Sequence, residues 1–373
     1  MNKTFLFFAF ILILLVGCSS DRQILNQFQK ISQQVEQKYA PDKSLAVFNF
    51  QLKKENGQWV LSGETTITEA RTALLNKLDS LIKTKIIDQS VLLPHPDLGD
   101  STWAIVRVSV AHLRREPKHA AEMVDQSIMG NVLRLLKRYK SWYLVQTHYG
   151  YLGWMTKYSF VRTNEAGVEQ WQSSKRLMVN WPVDRIYSAP SETSVPVCDV
   201  VLNCSLKEIA PQGRWVKVET PDQRQGYILK KHIGPWVGRK DATLVKPEEV
   251  VQTAYQLMGI PYLWGGNSAK GSDCSGFTQT IFRHNGIQLP RDARQQALIG
   301  REIIPKQDFS NVQPGDLLFF GLGQRITHVG MSLGGYKFIH QDREVRINSF
   351  NPQDPDFNPF RKKTLKVIKR ILK

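Results

Sequence analysis

The sequence predicts an α+β protein built from several small domains. Three observations carry that prediction. Over residues 21–98, helix-spaced apolar residues flank a pair of strand-like runs. Over residues 103–237, two related blocks of short β-like runs follow one another. Beyond residue 245, a helical spacing after Cys274 is followed by strand-like runs that carry two histidines. A chain of 373 residues has room for two to four small domains.

The chain opens with Lys3 and an apolar run, Phe5 to Val16, too short to span a bilayer as a mature helix. Small residues follow and end at Cys18. Residues 1–18 therefore read as an export signal. The ending Leu15-Val16-Gly17-Cys18 resembles the bacterial lipobox. That resemblance implies that Cys18 is acylated, and that the protein is a membrane-anchored lipoprotein of the cell envelope, facing the periplasm.

Residues 21–98 read as a small α+β unit. Ile24, Leu25, Phe28, Ile31 and Val35 recur at helical spacing. Asn56-Gly57 joins two strand-like runs as a hairpin turn. Thr68 is placed to cap a second helix that carries Ala70, Leu74, Leu75, Leu78 and Leu81.

Residues 103–165 and 175–237 each read as a small all-β unit. Trp142, Val145 and Thr147 precede Trp215, Val218 and Thr220 by a constant offset, and Gly150-Tyr151 aligns with Gly226-Tyr227 after a small shift. The runs Asn131-Val132-Leu133, Ser141-Trp142-Tyr143-Leu144-Val145 and Gly150-Tyr151-Leu152-Gly153-Trp154 resemble bacterial SH3 (SH3b) domains. The second block departs from that pattern, since Gly226-Tyr227-Ile228 lacks the following Gly-Trp.

Residues 245–373 carry the chemistry. Pro247 suits a first helical position, ahead of Val250, Val251, Ala254 and Leu257. Gly271 and Ser272 then break the chain before Cys274. Phe277, Ile281 and Phe282 place Cys274 in the first turn of a buried helix that Gly286 stops. Free N–H groups and the helix dipole favour a thiolate there. His328 is the candidate general base. His340 is the candidate orienter, with Gln341 and Asp342 as alternatives. Register decides the matter. A two-residue loop at Gly334-Gly335 sets His328 against Gln341. An odd-length loop or a bulge puts His328 and His340 on one face, and a three-residue loop opposes them directly.

The net charge is +17 and the pI about 9.7, which suits an anionic neighbourhood. No arginine-rich helix or RNA-binding aromatic signature is present, so nucleic acid is not an expected partner. No CxxC or His-rich cluster points to a metal, and no cofactor is expected. Cys198 and Cys204 form either a disulfide or a free pair.

Pro261-Tyr262-Leu263-Trp264-Gly265-Gly266, Asp273-Cys274-Ser275-Gly276-Phe277, Leu289-Pro290-Arg291, Pro314-Gly315-Asp316-Leu317, His328-Val329-Gly330-Met331 and Phe338-Ile339-His340 resemble, in this order, the motifs of NlpC/P60 cysteine peptidases. The resemblance implies a papain-like fold, with Cys274 on a helix packed against an antiparallel sheet. With two SH3b-like units ahead of it, the chain resembles γ-D-glutamyl-L-diamino acid endopeptidases, which act on peptidoglycan stem peptides or muropeptides and need no metal. That implies a Cys274-His328-His340 mechanism. Asp273 and Ser275 would hold the free amine of L-Ala, with Tyr151 of the first β unit. Tyr143 and Tyr149 stand as alternatives to Tyr151. Two other readings remain: a wall-binding lipoprotein with an inactive peptidase domain, and an amidase or acyltransferase using the same cysteine.

Overall fold

The computed structural model describes residues 5–372, and side chains from Ser20 onward. The side chain of Cys18, the expected lipidation site, lies outside the described residues. The chain divides into two compact units, residues 1–99 and 100–373. Among the described residues, no helix is long and apolar enough to cross a membrane.

In the first unit, helix α1 (Phe5–Tyr39) precedes the hairpin β1 (Phe48–Glu55) and β2 (Gln58–Thr65), helix α2 (Thr68–Leu81) and strand β3 (Ile87–Leu92). Glu55 pairs with Gln58, so Asn56 and Gly57 form a two-residue loop, both at positive φ as a type I′ turn requires. Phe28 and Val35 of α1 pack with Leu52, Leu61, Leu74 and Leu78 in one apolar core. Thr68 is the first helical residue rather than the cap. Ile67 holds the cap position and has no side-chain acceptor to offer.

The second unit begins with two seven-stranded β units. The first runs β4 (Trp103–Val106), β5 (Val110–Arg114), β6 (Met123–Ile128), β7 (Val132–Tyr139), β8 (Trp142–Thr147), β9 (Leu152–Thr156) and β10 (Phe160–Thr163). Helix α3 (Glu165–Ser173) leads to the second: β11 (Arg176–Val179), β12 (Val183–Tyr187), β13 (Pro196–Val201), β14 (Ser205–Gln212), β15 (Trp215–Glu219), β16 (Gln225–Leu229) and β17 (Ile233–Pro235). The sheet orders, β10-β4-β7-β8-β9-β5-β6 and β13-β12-β16-β15-β14-β11-β17, are one topology listed from opposite edges. The repeat is therefore structural.

Its alignment differs from the sequence reading. Val145 pairs with Gly153 as Val218 pairs with Gly226, so Gly226-Tyr227 corresponds to Gly153-Trp154 and not to Gly150-Tyr151. Packing explains the shared glycine. A Cβ at Gly153 would lie 2.7 Å from Leu113, and one at Gly226 would lie 2.6 Å from Ile186, the matching residue of the other unit. Cys198 and Cys204 are both free thiols.

Helix α4 (Pro247–Tyr255), the short hairpin β18 (Asn267–Ser268) and β19 (Gly271–Ser272), helix α5 (Cys274–His284) and helix α6 (Ala293–Gln296) come next. The antiparallel strands β20 (Arg301–Ile303), β21 (Leu317–Leu322), β22 (Arg325–Gly334), β23 (Lys337–Gln341), β24 (Val345–Ser349) and β25 (Leu365–Arg370) form a sheet in the order β20-β25-β21-β22-β23-β24, with α7 (Pro359–Thr364) before the last strand. Helix α5 packs on β22 and α4. Phe277, Ile281, Phe319, Val329 and Met331 share its core.

Candidate active site

Cys274 is the first residue of α5. Asp273 caps the helix, its Oδ1 accepting the Gly276 N–H at 2.7 Å. Every residue from Cys274 to Phe282 is buried. Gly276 is dictated by the close approach of the preceding loop, because a Cβ there would lie 2.0 Å from the Gly266 carbonyl oxygen.

Opposite the cysteine stands a hydrogen-bonded chain whose direction can be read from its far end. Asn348 Nδ2 donates to the Asp356 carbonyl at 2.9 Å, which turns Asn348 Oδ1 toward His340 Nε2 at 2.8 Å. An amide oxygen only accepts, so His340 carries its proton on Nε2. His340 Nδ1 then accepts from His328 Nε2, also at 2.8 Å. The proton of neutral His328 is thereby fixed on Nε2, and its Nδ1 is left as a basic lone pair.

The two histidines share a face by way of a bulge. Gly334 pairs with Lys337, the register shifts at Leu333, and Ser332 then pairs with Phe338 and Gly330 with His340. His328 sits two residues beyond Gly330. Its relation to His340 is therefore diagonal, and the direct opposition expected of a three-residue loop does not occur. Gln341, the alternative orienter, points elsewhere: its Nε2 donates to the Ile260 carbonyl at 3.0 Å.

Burial sets the resting charges. It pushes the Cys274 thiol up to about 12, reinforced by the Asp273 carboxylate. The Val329 and Ser275 N–H groups and the Arg291 charge oppose that shift without overcoming it. Burial likewise holds His328 well below its ordinary value, aided by the charges of Arg361 and His340. It lowers His340 to about 4, against the pull of its bond to Asn348. The helix N-terminus alone does not make a thiolate here. Burial thus disfavours both charged forms, the thiolate and the imidazolium.

Cys274 opens into a cleft of about 460 Å³ lined from both sides. The first β unit contributes Arg115, Glu122, Val124 and Tyr151, and the C-terminal domain contributes Tyr262, Trp264, Asp292 and Arg294 among others. Trp264 Nε1 donates to Glu122 Oε1 at 2.9 Å across the cleft. Tyr151 donates to Asp292 Oδ1 at 3.2 Å. Tyr149 and Tyr143 are turned away from it. Tyr149 bonds the buried Asp125, and Tyr143 packs edge-on against Phe160.

Arg291, only 2% exposed, ties the cleft floor together. Its Nη1 and Nη2 reach Asp273 Oδ1 and Oδ2 at 3.0 and 2.7 Å. The same Nη1 reaches Ser275 Oγ at 3.0 Å, and Nε reaches Asp125 Oδ1 at 2.5 Å. Asp273 and Ser275 thus lie beside Cys274 as expected, but the polar atoms of both are engaged by Arg291. The cleft's charges are matched in three pairs: Arg115 with Glu122, Arg291 with Asp273, and Arg294 with Asp292. The sequence reading missed Asn348, Asp125, Asp292 and a polar role for Arg291. Only Arg291 carried a signal, through its place in the Leu289-Pro290-Arg291 motif. Among the described residues, no cluster of three or more His, Cys, Asp or Glu could hold a metal ion.

Residues 259–367 match the NlpC/P60 family, and residues 113–159 match the bacterial dipeptidyl-peptidase SH3 domain. The chain is 33% identical over 197 residues to a γ-D-glutamyl-L-lysine dipeptidyl-peptidase of Bacillus subtilis, a match covering 52% of this chain and 61% of that protein. It is 28% identical over 261 residues to dipeptidyl-peptidase 6 of Lysinibacillus sphaericus, covering 68% of this chain and 93% of that one. The crystal structure of an NlpC/P60 family protein from Bacillus cereus superposes with a TM-score of 0.62 at 22% identity. It covers 73% of this chain and all of that one, a likeness of fold.

Proposed function

From a chain whose residues 259–367 form an NlpC/P60 domain, we propose a cell-envelope cysteine peptidase that hydrolyses the γ-D-glutamyl-diamino acid bond of peptidoglycan stem peptides bearing a free N-terminal L-Ala. The observation that carries the reading is the directed chain Asn348–His340–His328, which leaves a basic imidazole nitrogen in the strand packed on the helix that Cys274 begins.

In this mechanism the His328 imidazole takes the Cys274 proton as sulfur attacks the amide carbonyl. The proton then passes to the leaving amine, which departs with the diamino acid, and water hydrolyses the thioester. His340 holds the imidazole in its reactive tautomer and bears on the imidazolium that forms. The Cys274 N–H, at the open end of α5, is placed to stabilise the oxyanion. Similarity to a γ-D-glutamyl-L-lysine dipeptidyl-peptidase and to dipeptidyl-peptidase 6 supports the choice of bond.

The free-amine preference rests on the cleft wall. Arg115, Glu122 and Tyr151 of the first β unit line the cleft that Cys274 opens into, and in this reading they close the end into which a stem still joined to glycan would run. An ammonium group there would share Asp292 with Tyr151 and Arg294, and Asp273 with Arg291, since both carboxylates already hold partners. An ammonium carried into a partly buried cleft requires such partners. Cys18 is proposed as the lipid anchor that holds the enzyme at the membrane. Incubation with a defined L-Ala-γ-D-Glu-diamino acid tripeptide, followed by mass spectrometry, tests the reading through release of L-Ala-D-Glu. Release of a different fragment would assign the cysteine to an amidase or transferase instead.

A further inference from the structure

Two arginines stand beside the catalytic histidines without lining the cleft that Cys274 opens into. Phe320 pairs with His328, and Arg346 pairs with His340. With the two histidines diagonally related, all four side chains project from one face of the sheet. Arg361 of α7 covers this row. Its guanidinium carbon lies 5.5 Å from the centre of the Phe320 ring, and that ring lies 5.6 Å from the ring of His328.

Arg361 is held there by the network that orients the histidines. Asn358 caps α7 by accepting the Arg361 N–H at 3.0 Å. Its Nδ2 donates at 3.1 Å to Asn348 Oδ1, the atom that also receives His340 Nε2. The helix that bears Arg361 is therefore fixed in the frame of the general base. Burial dominates the titration of all three groups, but the Arg361 charge further lowers His328 and His340, and a Cys274 thiolate favours the charge of Arg361.

The guanidinium is not used up within the chain. Asp342 Oδ1 approaches Nη2 at 3.4 Å, longer than a well-formed charge-assisted hydrogen bond, and the Asp342 side chain is 41% exposed. Nη1 bonds nothing among the described residues and, unlike Nε, is not shielded from solvent. Arg346 is exposed and has no ion-pair partner among the described residues. Asp354 and Asp356, on the loop before α7, are held by Lys337. The charges of the Cys274 cleft are matched, whereas this face keeps a surplus of positive charge.

The peptidase reading, on which this inference rests, says what meets that surplus. His328 delivers its proton to the leaving amine, so the leaving residue lies against His328. The carboxyl group of that residue is borne on the carbon next to the amine. We propose that Arg361, backed by Arg346, binds the free α-carboxylate of the departing diamino acid and so selects stem peptides that end at that residue. A carboxylate matches the guanidinium fork in shape and charge. A stem continued through an amide at that position offers no charge to it.

The test compares cleavage of L-Ala-γ-D-Glu-L-Lys with that of the same peptide amidated at the lysine carboxyl group, and repeats the pair with diaminopimelate in place of lysine. Release of L-Ala-D-Glu by the full chain is followed by mass spectrometry. In the pair that is cleaved faster, kcat/KM should be about tenfold or more higher for the acid than for the amide, the scale of a charge-assisted hydrogen bond. Arg361→Gln should bring the acid down to the level of the amide and leave the amide nearly unchanged. Arg361→Lys should retain part of the preference, and Arg346→Gln should lose less than Arg361→Gln. Equal wild-type rates on acid and amide overturn the inference and leave the peptidase reading standing, and that comparison needs no variant to fold. An equal loss on both peptides in folded Arg361→Gln also overturns it, by assigning Arg361 to the electrostatics of His328. Release from none of the peptides overturns the peptidase reading and the inference with it.

Discussion

His328 Nε2 and His340 Nδ1 lie 2.8 Å apart although their strands do not set them directly opposite. The bulge at Leu333 brings two residues of equal parity onto one face, and Asn348 then fixes which nitrogen of each ring carries its proton. An orienter acting through a second ring predicts a graded series. His328→Ala should abolish turnover about as fully as Cys274→Ala, because nucleophile and base act as one unit. His340→Ala should cost less, and Asn348→Ala about tenfold in kcat with little change in KM, the usual scale for a supporting partner. Steady-state kinetics on one tripeptide checks the order. An Asn348→Ala loss equal to that of His328→Ala contradicts it.

The same burial makes folding stability depend on pH. His340 is lowered to about 4 and His328 is also lowered, while both return to the ordinary value near 6.5 on unfolding. The unfolded chain binds protons first as pH falls. The stability owed to the neutral rings is complete above about pH 6.5 and is lost progressively toward pH 4, on the order of 3 kcal/mol for His340 alone. Denaturant midpoints measured across that window should fall with pH. His340→Gln should flatten the slope by about one proton. A slope unchanged in that variant would show that other groups carry it.

Arg291 bonds Asp125 of the first β unit and Asp273 of the catalytic helix while almost fully buried. Removing one member leaves an unpaired charge in a dry interface. Arg291→Met should therefore destabilise the protein by about 3–5 kcal/mol, read by chemical denaturation. Asp125→Asn should cost stability in the same direction while leaving Cys274 chemically intact. A loss below about 1 kcal/mol for Arg291→Met would place the pair at the level of surface ion pairs.

Much of this site was legible from short-range pattern. The Cys274 helix, its stop at Gly286 and the Asn56-Gly57 hairpin each depend on residues a few positions apart, and such signals survive in sequence. What was not legible depends on contacts across the fold. Asp125 and Arg291 are 166 residues apart. Asn348 reaches His340 only because β24 pairs beside β23. The loop at Gly334-Gly335 admits several registers, and packing rather than the glycines selects the bulge. The repeat was visible in Trp142 and Trp215, but its glycine partner was misassigned because Gly150-Tyr151 mimics the pattern of a pair three residues further on.

Tyr151 lines the cleft and bonds Asp292, while Tyr143 and Tyr149 face inward. Tyr151→Phe removes one hydroxyl at the mouth of the wall. Cleavage of free-amine peptides should fall several-fold, and the thermal midpoint should change little. Equal wild-type rates on free stems and on stems still attached to glycan would refute the gate.

The proposed lipid anchor has its own test. Cys18→Ser should release a soluble, active enzyme and abolish labelling by a lipid precursor, since stable anchoring takes more than one acyl chain. Membrane fractionation that does not change in this variant would assign the anchoring to another segment.

The most direct test of the central claim is the rate of L-Ala-D-Glu release from a defined tripeptide by the wild type, Cys274→Ala and His328→Ala proteins under one set of conditions. The directed Cys274-His328-His340 arrangement predicts steady release by the wild type and none above background by either variant, with all three proteins folded by circular dichroism. Release by folded Cys274→Ala at a rate near that of the wild type would contradict it.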